Sequence, residues 1–521
     1  MSQRRNSSLN RARRARELQE LAETQVDVLV VGLGVTGAGV ALDAASRGLS
    51  VAAVDAHDLA FGTSRWSSKL VHGGLRYLAH GDVGLAYESA VERGLLMRHI
   101  APHLVRPLPA ILPFAESVSP KAFAQARAGV AAGDLLRLAA RTPRAILPRP
   151  RKLSRVETLA MAPALQRNGL RGGLLAWDGQ LCDDARLVVG LARAAAGFGA
   201  RIITRCRAVT RETLRDELTG STFTVRARVV VNATGVWAAT LAPQLSLRPS
   251  IGSHLVLPGR VFGGLGAGLT IPVPGATSRY VLALPQRDGR VYVGLTDEPF
   301  DGPIPDEPVA PEADADFLLG VLNSVLEHKI SRSDVIGSYA GLRPLLGAEG
   351  QTADLSRRHV VQVGEDGVVT VVGGKLTTYR RMAEDAVDTA VRVAGLNAGP
   401  CRTKRLPLPG APGGVGRRGG AAGGGEAASG RVGGALSSGG GGLDKTMALL
   451  RARYGLEAEA VAALGVSEVA PGVTEGELRW GVLHEGALDE ADLLERRTRA
   501  GLVPTDREAA LPAAVRVLAE G

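Results

Sequence analysis

The chain has 521 residues, of which 45% are hydrophobic and 4% are aromatic. This length suits two or three domains, and a composition rich in Ala, Gly, Val and Leu favours an aliphatic core of parallel strands buried on both faces. The 62 basic residues outnumber the 52 acidic residues, which gives a net charge of +10. Three cysteines without a CxxC pair argue against a disulfide framework and indicate a reducing compartment.

Residues 1–25 are a basic N-terminal extension, with six arginines and two acidic residues among the first twenty. We predict a partly frayed helix there, and the alternatives are contact with an anionic membrane surface and a mitochondrial-type presequence. Aromatic residues do not interleave with the basic ones, which argues against nucleic acid as a partner. The uncharged runs 229–247 and 261–278 are interrupted by polar residues, glycines and prolines, so neither predicts a membrane span.

Residues 26–55 have the pattern of a strand, a glycine turn, a helix and a second strand, which is one βαβ unit. The turn has the G-x-G-x-x-G spacing at Gly32, Gly34 and Gly37, and Asp55 ends the second strand. In such a unit the glycines make the turn, admit a pyrophosphate and let the helix pack closely. Asp55 can accept hydrogen bonds from a ribose diol. The pattern therefore predicts a dinucleotide site rather than a purely structural turn.

Two further glycine turns follow apolar strands far downstream, at 229–237 and 371–380. A nicotinamide-binding domain would not need them, whereas an extended flavin is long enough to touch several such turns. The helix starts after Gly235 and Gly374 could face the pyrophosphate or the part of the flavin where negative charge develops on reduction. These turns favour FAD over NAD.

The patterns divide the chain into an oxidoreductase region at 26–409, a glycine-rich linker at 410–443 and a helical C-terminal domain at 444–521. Within the first region, we predict FAD-binding parts at about 26–105, 150–247 and 333–400. The β-rich parts at about 106–149 and 248–332, with a hairpin turn at Asp288-Gly289, are predicted to form a substrate (cap) domain. The linker contains 16 glycines among the 33 residues from 410 to 442, a composition typical of flexible segments.

Several cationic residues lie beside glycine turns or strand ends rather than on helical faces: Arg76, Arg343, Arg357 and Lys375. Together they suggest an anionic substrate, since arginine suits bidentate contact with phosphate or carboxylate. His254 is the leading candidate for a general base because an unperturbed histidine titrates near neutral pH, although a structural role is the alternative. The histidines show no metal-ligand spacing, so we assign no metal.

The chain resembles the FAD-dependent glycerol-3-phosphate dehydrogenases of the D-amino-acid-oxidase-like superfamily. The resemblance covers about residues 26–409 and 444–505, and its motifs include "SSKLVHGGLRYL", "CDDARL", "VNATGVW", "GSHLVL", "VGLTDEP", "GLRPL" and "GGKLTTYR". It implies an α/β, Rossmann-like FAD-binding domain with a β-rich cap and a helical C-terminal domain. The basic extension and the 410–442 insert depart from the family pattern.

The resemblance also implies a reaction and a set of site residues. The reaction is oxidation of sn-glycerol 3-phosphate to dihydroxyacetone phosphate, with hydride transfer from C2 to noncovalently bound FAD and electron transfer to a membrane quinone. It places these residues around the substrate: Arg76, Tyr77, His254, Arg343, Arg357 and Lys375. It places these around FAD: Gly32, Gly34, Gly37, Asp55, Thr63, Ser64, Ser67, Ser68, Lys69, Leu70, Ala233, Thr234, Gly235, Gly374, Lys375, Leu376 and Thr377.

Among the substrate residues, we expect His254 and Arg343 to act on the C2 hydroxyl, with His254 a candidate base. We expect Arg76 and Arg357 to bind phosphate and Lys375 to stabilise the flavin or substrate anion. The expected location is the cytoplasm, peripherally on the inner face of the cytoplasmic membrane, and a homodimer is one of the oligomeric states left open.

Three other functions are alternatives. A glycerol-3-phosphate oxidase would deliver electrons to O₂, and an amino-acid oxidase would need fewer cations. A non-catalytic FAD-binding membrane-surface protein would bind flavin without reducing it. The apolar, proline-rich run at 107–114 is predicted to be a packed loop, with a quinone or lipid contact as the alternative.

Overall fold

The computed structural model describes residues 6–74, 77–78, 81–115, 120–276, 279–347, 358–414 and 442–521. Arg76, Arg357 and most of the glycine-rich linker lie outside these residues. The strands are β1 Gln25–Val31, β2 Val51–Val54, β3 Leu70–Val71, β4 Val105–Phe114, β5 Arg151–Leu153, β6 Gly172–Leu181, β7 Arg201–Ile203, β8 Cys206–Ala208, β9 Thr213–Asp216, β10 Thr222–Thr224, β11 Arg226–Asn232, β12 Ser250–Pro258, β13 Gly268–Pro272, β14 Tyr280–Pro285, β15 Arg290–Gly294, β16 Glu298–Pro299, β17 Gly337–Arg343, β18 His359–Val363, β19 Val369–Gly373, β20 Glu468–Ala470 and β21 Val473–Thr474.

Twelve α-helices occur within the described part of the chain. They are α1 Arg11–Glu23, α2 Val35–Ser46, α3 Val83–Leu95, α4 Pro120–Ala139, α5 Arg155–Met161, α6 Asp184–Gly197, α7 Glu312–Asn323, α8 Tyr379–Ala394, α9 Gly442–Tyr454, α10 Ala458–Ala462, α11 Glu475–His484 and α12 Pro504–Glu520. None of the described helices combines the length and the apolar character that crossing a bilayer requires.

The first sheet has six strands in the order β18-β19-β11-β1-β2-β7 and is parallel except for β18. Side chains of β1 alternate between two cores, with Val28 and Val30 in one and Leu29 and Val31 in the other. Helix α2 packs against both α6 and α8 over the first of these cores. Burial on both faces explains why the central residues of β1, β2 and β11 are aliphatic, and the predicted Rossmann-like domain is confirmed.

The second sheet has ten strands, with β16-β12-β15-β14-β13-β4-β6-β3 in line, β17 paired with β12 and β5 paired with β6. The predicted FAD-binding and cap parts do not coincide with the two sheets. Strands β3, β5, β6 and β17 were assigned to FAD-binding parts, but their hydrogen bonds place them in the second sheet. The predicted hairpin turn joins β14 to β15, where Gly289 has a φ of +87°.

The N-terminal helix α1 packs against the first domain, so the expectation of fraying is wrong from Arg11 onward. The Asn10 side chain caps the helix by accepting a hydrogen bond from the Arg13 amide at 2.9 Å. Arg14 is buried in an ion pair with Asp216, and Leu21 is fully buried beside them. The charge of Arg14 is therefore neutralised within the protein and is not available to a lipid surface.

The C-terminal domain docks on the first domain through buried charges. The carboxylate of Asp58, which follows β2, accepts hydrogen bonds from Arg496 Nε at 2.7 Å and from both terminal nitrogens of Arg497 at 2.7 and 2.9 Å. All three side chains are buried, and the two guanidinium groups hold the pKa of Asp58 well below its usual range against the effect of burial. A second buried pair joins Arg186 of α6 to Glu485.

We expect Asp58→Asn to lower the free energy of unfolding by about 3–5 kcal/mol, because it takes the paired carboxylate from the buried Arg497 and leaves Arg496 with Asp492 alone. The matched control is Asp316→Asn, which breaks an exposed pair with Arg332 and should cost less than about 1 kcal/mol. The midpoint of urea unfolding measures both variants. Equal midpoints would contradict a stabilising role for the Asp58 cluster.

Candidate active site

A cavity of about 2000 Å³ is lined by residues of both large sheets. This volume exceeds the roughly 300–1,000 Å³ of a typical small-ligand pocket, so it suits an extended ligand. The lining includes most of the predicted cofactor residues: Gly32, Gly34, Asp55, Thr63, Ser64, Ser67, Ser68, Leu70, Ala233, Thr234, Gly235, Gly374, Lys375, Leu376 and Thr377. Of the predicted substrate residues that the structure describes, Tyr77, Arg343 and Lys375 line the same cavity.

The glycine fingerprint packs too closely for side chains. Gly32 has a φ of +99°, and a Cβ there would lie 2.6 Å from the Ala233 carbonyl oxygen. A Cβ at Gly37 would lie 1.8 Å from the Gly32 oxygen, so Gly37 lets α2 approach the turn instead of lining the cavity. Gly34 is the N-cap of α2, so no side chain of the N-cap residue covers the start of the helix. The Ser64 hydroxyl accepts a hydrogen bond from the Val35 amide at 2.9 Å.

Asp55 follows β2 and lies against the fingerprint. One carboxylate oxygen accepts a hydrogen bond from the Leu33 amide at 2.7 Å, and the other accepts one from the His57 amide at 2.8 Å. Burial raises the pKa of Asp55 to about 6, although both amides lower it. Each carboxylate oxygen can accept a further hydrogen bond, which a ribose diol could donate.

The two further glycine turns are Ala233–Gly235 after β11 and Gly374–Lys375 after β19. The Lys375 ammonium lies 4.0 Å from the centre of the Tyr77 ring and donates a hydrogen bond to the Ser89 hydroxyl. This cation stands at the cavity wall beside an aromatic ring, a favourable place for a positive charge.

Strands β12 and β17 place the remaining polar residues. Their register pairs Ser250 with Arg343 and His254 with Tyr339. Side chains alternate along a strand, so all four project from the face that also carries Gly252. A Cβ at Gly252 would lie 1.9 Å from Arg343 Nη2, so glycine leaves the space that the guanidinium fills.

The guanidinium of Arg343 is held in place by several hydrogen bonds. Nη1 donates to the Ser250 hydroxyl at 2.8 Å and to the Asp297 carboxylate at 3.1 Å, and Nη2 donates to the Thr296 carbonyl at 3.0 Å. The sequence interpretation missed Ser250 and Asp297 as partners. The "VGLTDEP" motif contained the signal for Asp297, a carboxylate just after a strand that ends beside His254.

His254 does not line the cavity, which corrects its expected position. It is fully buried, stacks on Tyr339 with ring centres 4.6 Å apart, and reaches the cavity through Ser68, whose hydroxyl lies 2.8 Å from His254 Nε2. Burial and then the charges of Lys69 and Arg343 lower the pKa of His254 well below its usual range. The imidazole is therefore neutral at neutral pH, and the role of His254 as a general base stays a prediction.

The neutral imidazole has one hydrogen-bonded nitrogen. Within the described residues, His254 Nδ1 is buried and has no hydrogen-bond partner. An orphaned N–H costs more than an orphaned acceptor, so we assign the proton to Nε2, which donates to the Ser68 hydroxyl. The Ser68 proton is then free to point at a ligand in the cavity.

Lys69 also departs from its expected place along the cofactor. Its side chain is 2% exposed, and its ammonium pairs with Asp184 at 2.9 Å on the side away from the cavity. Burial lowers the pKa of Lys69 to about 8, while Asp184 raises it. The neighbouring residues Ser68 and Leu70 do line the cavity.

The residues present fit an extended flavin dinucleotide. A side-chain-free helix start, a ribose-accepting carboxylate and two downstream turns line one continuous cavity. Positions where a Cβ would clash, such as Gly32, are those where the backbone must come close.

Comparisons with known proteins agree with this site. Residues 27–380 match the FAD dependent oxidoreductase family, and residues 401–521 match the C-terminal domain of alpha-glycerophosphate oxidase. The chain is 50% identical over 520 residues to glycerol-3-phosphate dehydrogenase 1 of Mycobacterium tuberculosis, covering 96% of this chain and 97% of that one. It is 36% identical over 437 residues to the mitochondrial glycerol-3-phosphate dehydrogenase of Mesocricetus auratus, covering 77% and 58% of the two chains.

Solved structures share the fold. The glycerol-3-phosphate dehydrogenase of Bacillus halodurans, complexed with FAD, aligns with a TM-score of 0.72 and 25% identity over 99% of this chain and 95% of that one. The L-alpha-glycerophosphate oxidase of Mycoplasma pneumoniae, with FAD bound, aligns with a TM-score of 0.56 and 19% identity over 74% and 99% of the two chains. The predicted fold class and the FAD cofactor are confirmed, and the chain belongs to the FAD-dependent glycerol-3-phosphate dehydrogenase family.

Proposed function

We propose that this protein oxidises sn-glycerol 3-phosphate to dihydroxyacetone phosphate and passes the electrons to a membrane quinone. The observation that carries this proposal is the meeting of Arg343, Lys375 and the Ser68 hydroxyl at the cavity that also contains the glycine fingerprint. Cations suit a phosphorylated substrate, and a hydroxyl joined to a histidine suits an alcohol. The names of the related dehydrogenases support the same substrate.

Oxidation of a secondary alcohol removes a hydride from carbon and a proton from oxygen. FAD, when bound, supplies the two-electron acceptor for the hydride. In this proposal the Ser68 hydroxyl orients the C2 hydroxyl of the substrate, and the neutral His254 behind it fixes the direction of the Ser68 proton. Because His254 Nε2 already carries a proton, the proton of the C2 hydroxyl passes to solvent in the cavity. Arg343 donates hydrogen bonds to the same oxygen as negative charge develops on it.

The phosphate needs more positive charge than Arg343 supplies, because Asp297 already balances that guanidinium. From the family resemblance we assign the phosphate to Arg76 and Arg357. We assign Lys375 to the developing anion of the flavin or the substrate, since the ammonium lies at the turn that begins α8.

A quinone acceptor is supported by the apolar part of the cavity. Leu108 and Leu112 of β4 and Leu282 and Leu284 of β14 line this part, which glycerol 3-phosphate is too small and too polar to need. The run at 107–114, predicted to be a loop, lies in strand β4. We propose that the protein works on the inner face of the cytoplasmic membrane, where a quinone is available.

The test uses the purified holoenzyme under anaerobic conditions. We expect sn-glycerol 3-phosphate to bleach the visible flavin absorbance, and a short-chain quinone to restore it much faster than O₂ does. Equal or faster reoxidation by O₂ would favour a glycerol-3-phosphate oxidase. Flavin that stays oxidised would contradict the proposed reaction and favour a non-catalytic FAD-binding protein.

We expect Ser68→Ala to slow flavin reduction by about 10²-fold, because His254 then loses its contact with the cavity. His254→Asn should slow it similarly, and the double variant should be little worse than either, since the two act as a unit. Stopped-flow absorbance measures the rates. Ser324→Ala, at the C-terminal end of α7, is the control and should reduce at the wild-type rate. A wild-type rate in Ser68→Ala would exclude this role.

We expect Gly252→Ala to lower kcat/KM for glycerol 3-phosphate by roughly 10- to 100-fold, because the new methyl group displaces the Arg343 guanidinium and one charge-assisted hydrogen bond to the developing negative charge is lost. The matched control is Gly320→Ala in α7, where a Cβ meets no atom within 4 Å. Steady-state kinetics measure both variants, and an unchanged kcat/KM in Gly252→Ala would exclude this role of Arg343.

A further inference from the structure

Lys69 is held in a rare conformation beneath the cavity. Its backbone is left-handed, with a φ of +58°, which a lysine adopts only where its surroundings require it. Its ammonium donates to the carbonyl oxygens of Arg65 at 2.9 Å and Ser67 at 3.2 Å and to the Asp184 carboxylate at 2.9 Å. Three acceptors match the three protons of an ammonium group, so its donors are committed within the protein.

Asp184 anchors the same segment from the start of α6. One of its carboxylate oxygens accepts hydrogen bonds from the Ser67 amide at 2.9 Å and the Ser67 hydroxyl at 2.7 Å, in addition to Lys69. Asp184 belongs to the "CDDARL" motif, none of whose residues is predicted to bind the cofactor or the substrate. A single buried oxygen thus fixes both the backbone and the side chain of Ser67.

Arg499 reaches this cluster from the C-terminal domain. Its Nη2 donates to the Arg65 carbonyl at 2.7 Å, the same oxygen that accepts from Lys69, and its Nε lies 3.7 Å from the Asp183 carboxylate. The side chain is buried, and the backbone is left-handed with a φ of +65°. The Arg65 carbonyl oxygen therefore accepts hydrogen bonds from one cationic side chain of each domain.

We propose that Lys69, Asp184 and Arg499 are positioning residues that fix the segment carrying Ser68, so that the C-terminal domain takes part in building the active site. Ser68 lies between two residues that are each anchored by these charges, and its hydroxyl meets His254 at 2.8 Å. The proposal rests on the proposed function only in assigning a catalytic use to Ser68.

The energetics favour positioning over simple stabilisation. Two cations and two carboxylates are buried together here, and buried ion pairs contribute little net stability compared with apolar residues of the same size. They do define geometry, and errors of about 1 Å in a reacting group can cost about 10²-fold in rate.

The test compares Arg499→Met with Arg499→Lys and with Arg453→Met in the full-length holoenzyme. Arg453 is a matched control because it is a largely buried arginine of the same domain, with 14% of its side chain exposed, and it donates hydrogen bonds to Glu477 and Gly472 within that domain. The first readout is amide hydrogen exchange of a peptide covering 66–71, which needs no substrate. The second is the rate of flavin reduction together with the dissociation constant of glycerol 3-phosphate.

We expect Arg499→Met to speed exchange in 66–71 and to slow flavin reduction by roughly 10- to 10²-fold, with a smaller effect on substrate affinity. Arg499→Lys should recover most of both, and Arg453→Met should change neither. Unchanged exchange in Arg499→Met, or equal effects in Arg453→Met, would overturn the proposal. If wild-type flavin is not bleached, the proposed function fails, and the exchange comparison still decides the positioning role.

Discussion

The parallel pairing of β1 with β2 and β11, and of β11 with β19, determines where the active site lies. Parallel strands end at the same edge of a sheet, so Gly32, Asp55, Ala233 and Gly374, each just beyond a strand, meet at one edge. The second sheet adds one face of β12 and β17 to that edge. A single cavity therefore receives contributions from residues more than 300 positions apart in the chain.

The first domain could be predicted from local sequence patterns. The second sheet could not, because its strands pair across long distances in the chain. The β1–α2–β2 unit and the later glycine turns are each read within a short stretch, so sequence reasoning found them. Strands β6 and β17 lie in stretches that were predicted to be FAD-binding parts, and only their distant partners, β4 and β12, show that they belong to the second sheet. Strand β4 was missed because of Pro107, Pro109 and Pro113, which occupy alternate positions, so their missing N–H groups fall on one edge of the strand.

The site residues likewise divide into those that local sequence identifies and those whose surroundings depend on distant parts of the chain. Arg343, Ser68 and Lys375 stand beside turns and strand ends that the sequence marks, and the cavity contains all three. The sequence did not reveal the position of the Lys69 side chain, because its ion-pair partner Asp184 lies 115 residues later in the chain. The low pKa of His254 results from burial and two neighbouring cations, which residue types and spacing do not reveal.

The burial of Asp55 makes the stability of the fold depend on pH. Its folded-state pKa of about 6 exceeds the value of 3.8 for a free carboxyl, so its contribution favours the folded protein at acidic pH and is lost as pH rises through about 6. If Asp55 accepts hydrogen bonds from the ribose diol, as the sequence predicts, the bound diol would favour the ionised carboxylate. Dinucleotide binding would then release a proton near pH 6, and cofactor affinity would rise with pH where the empty protein loses stability.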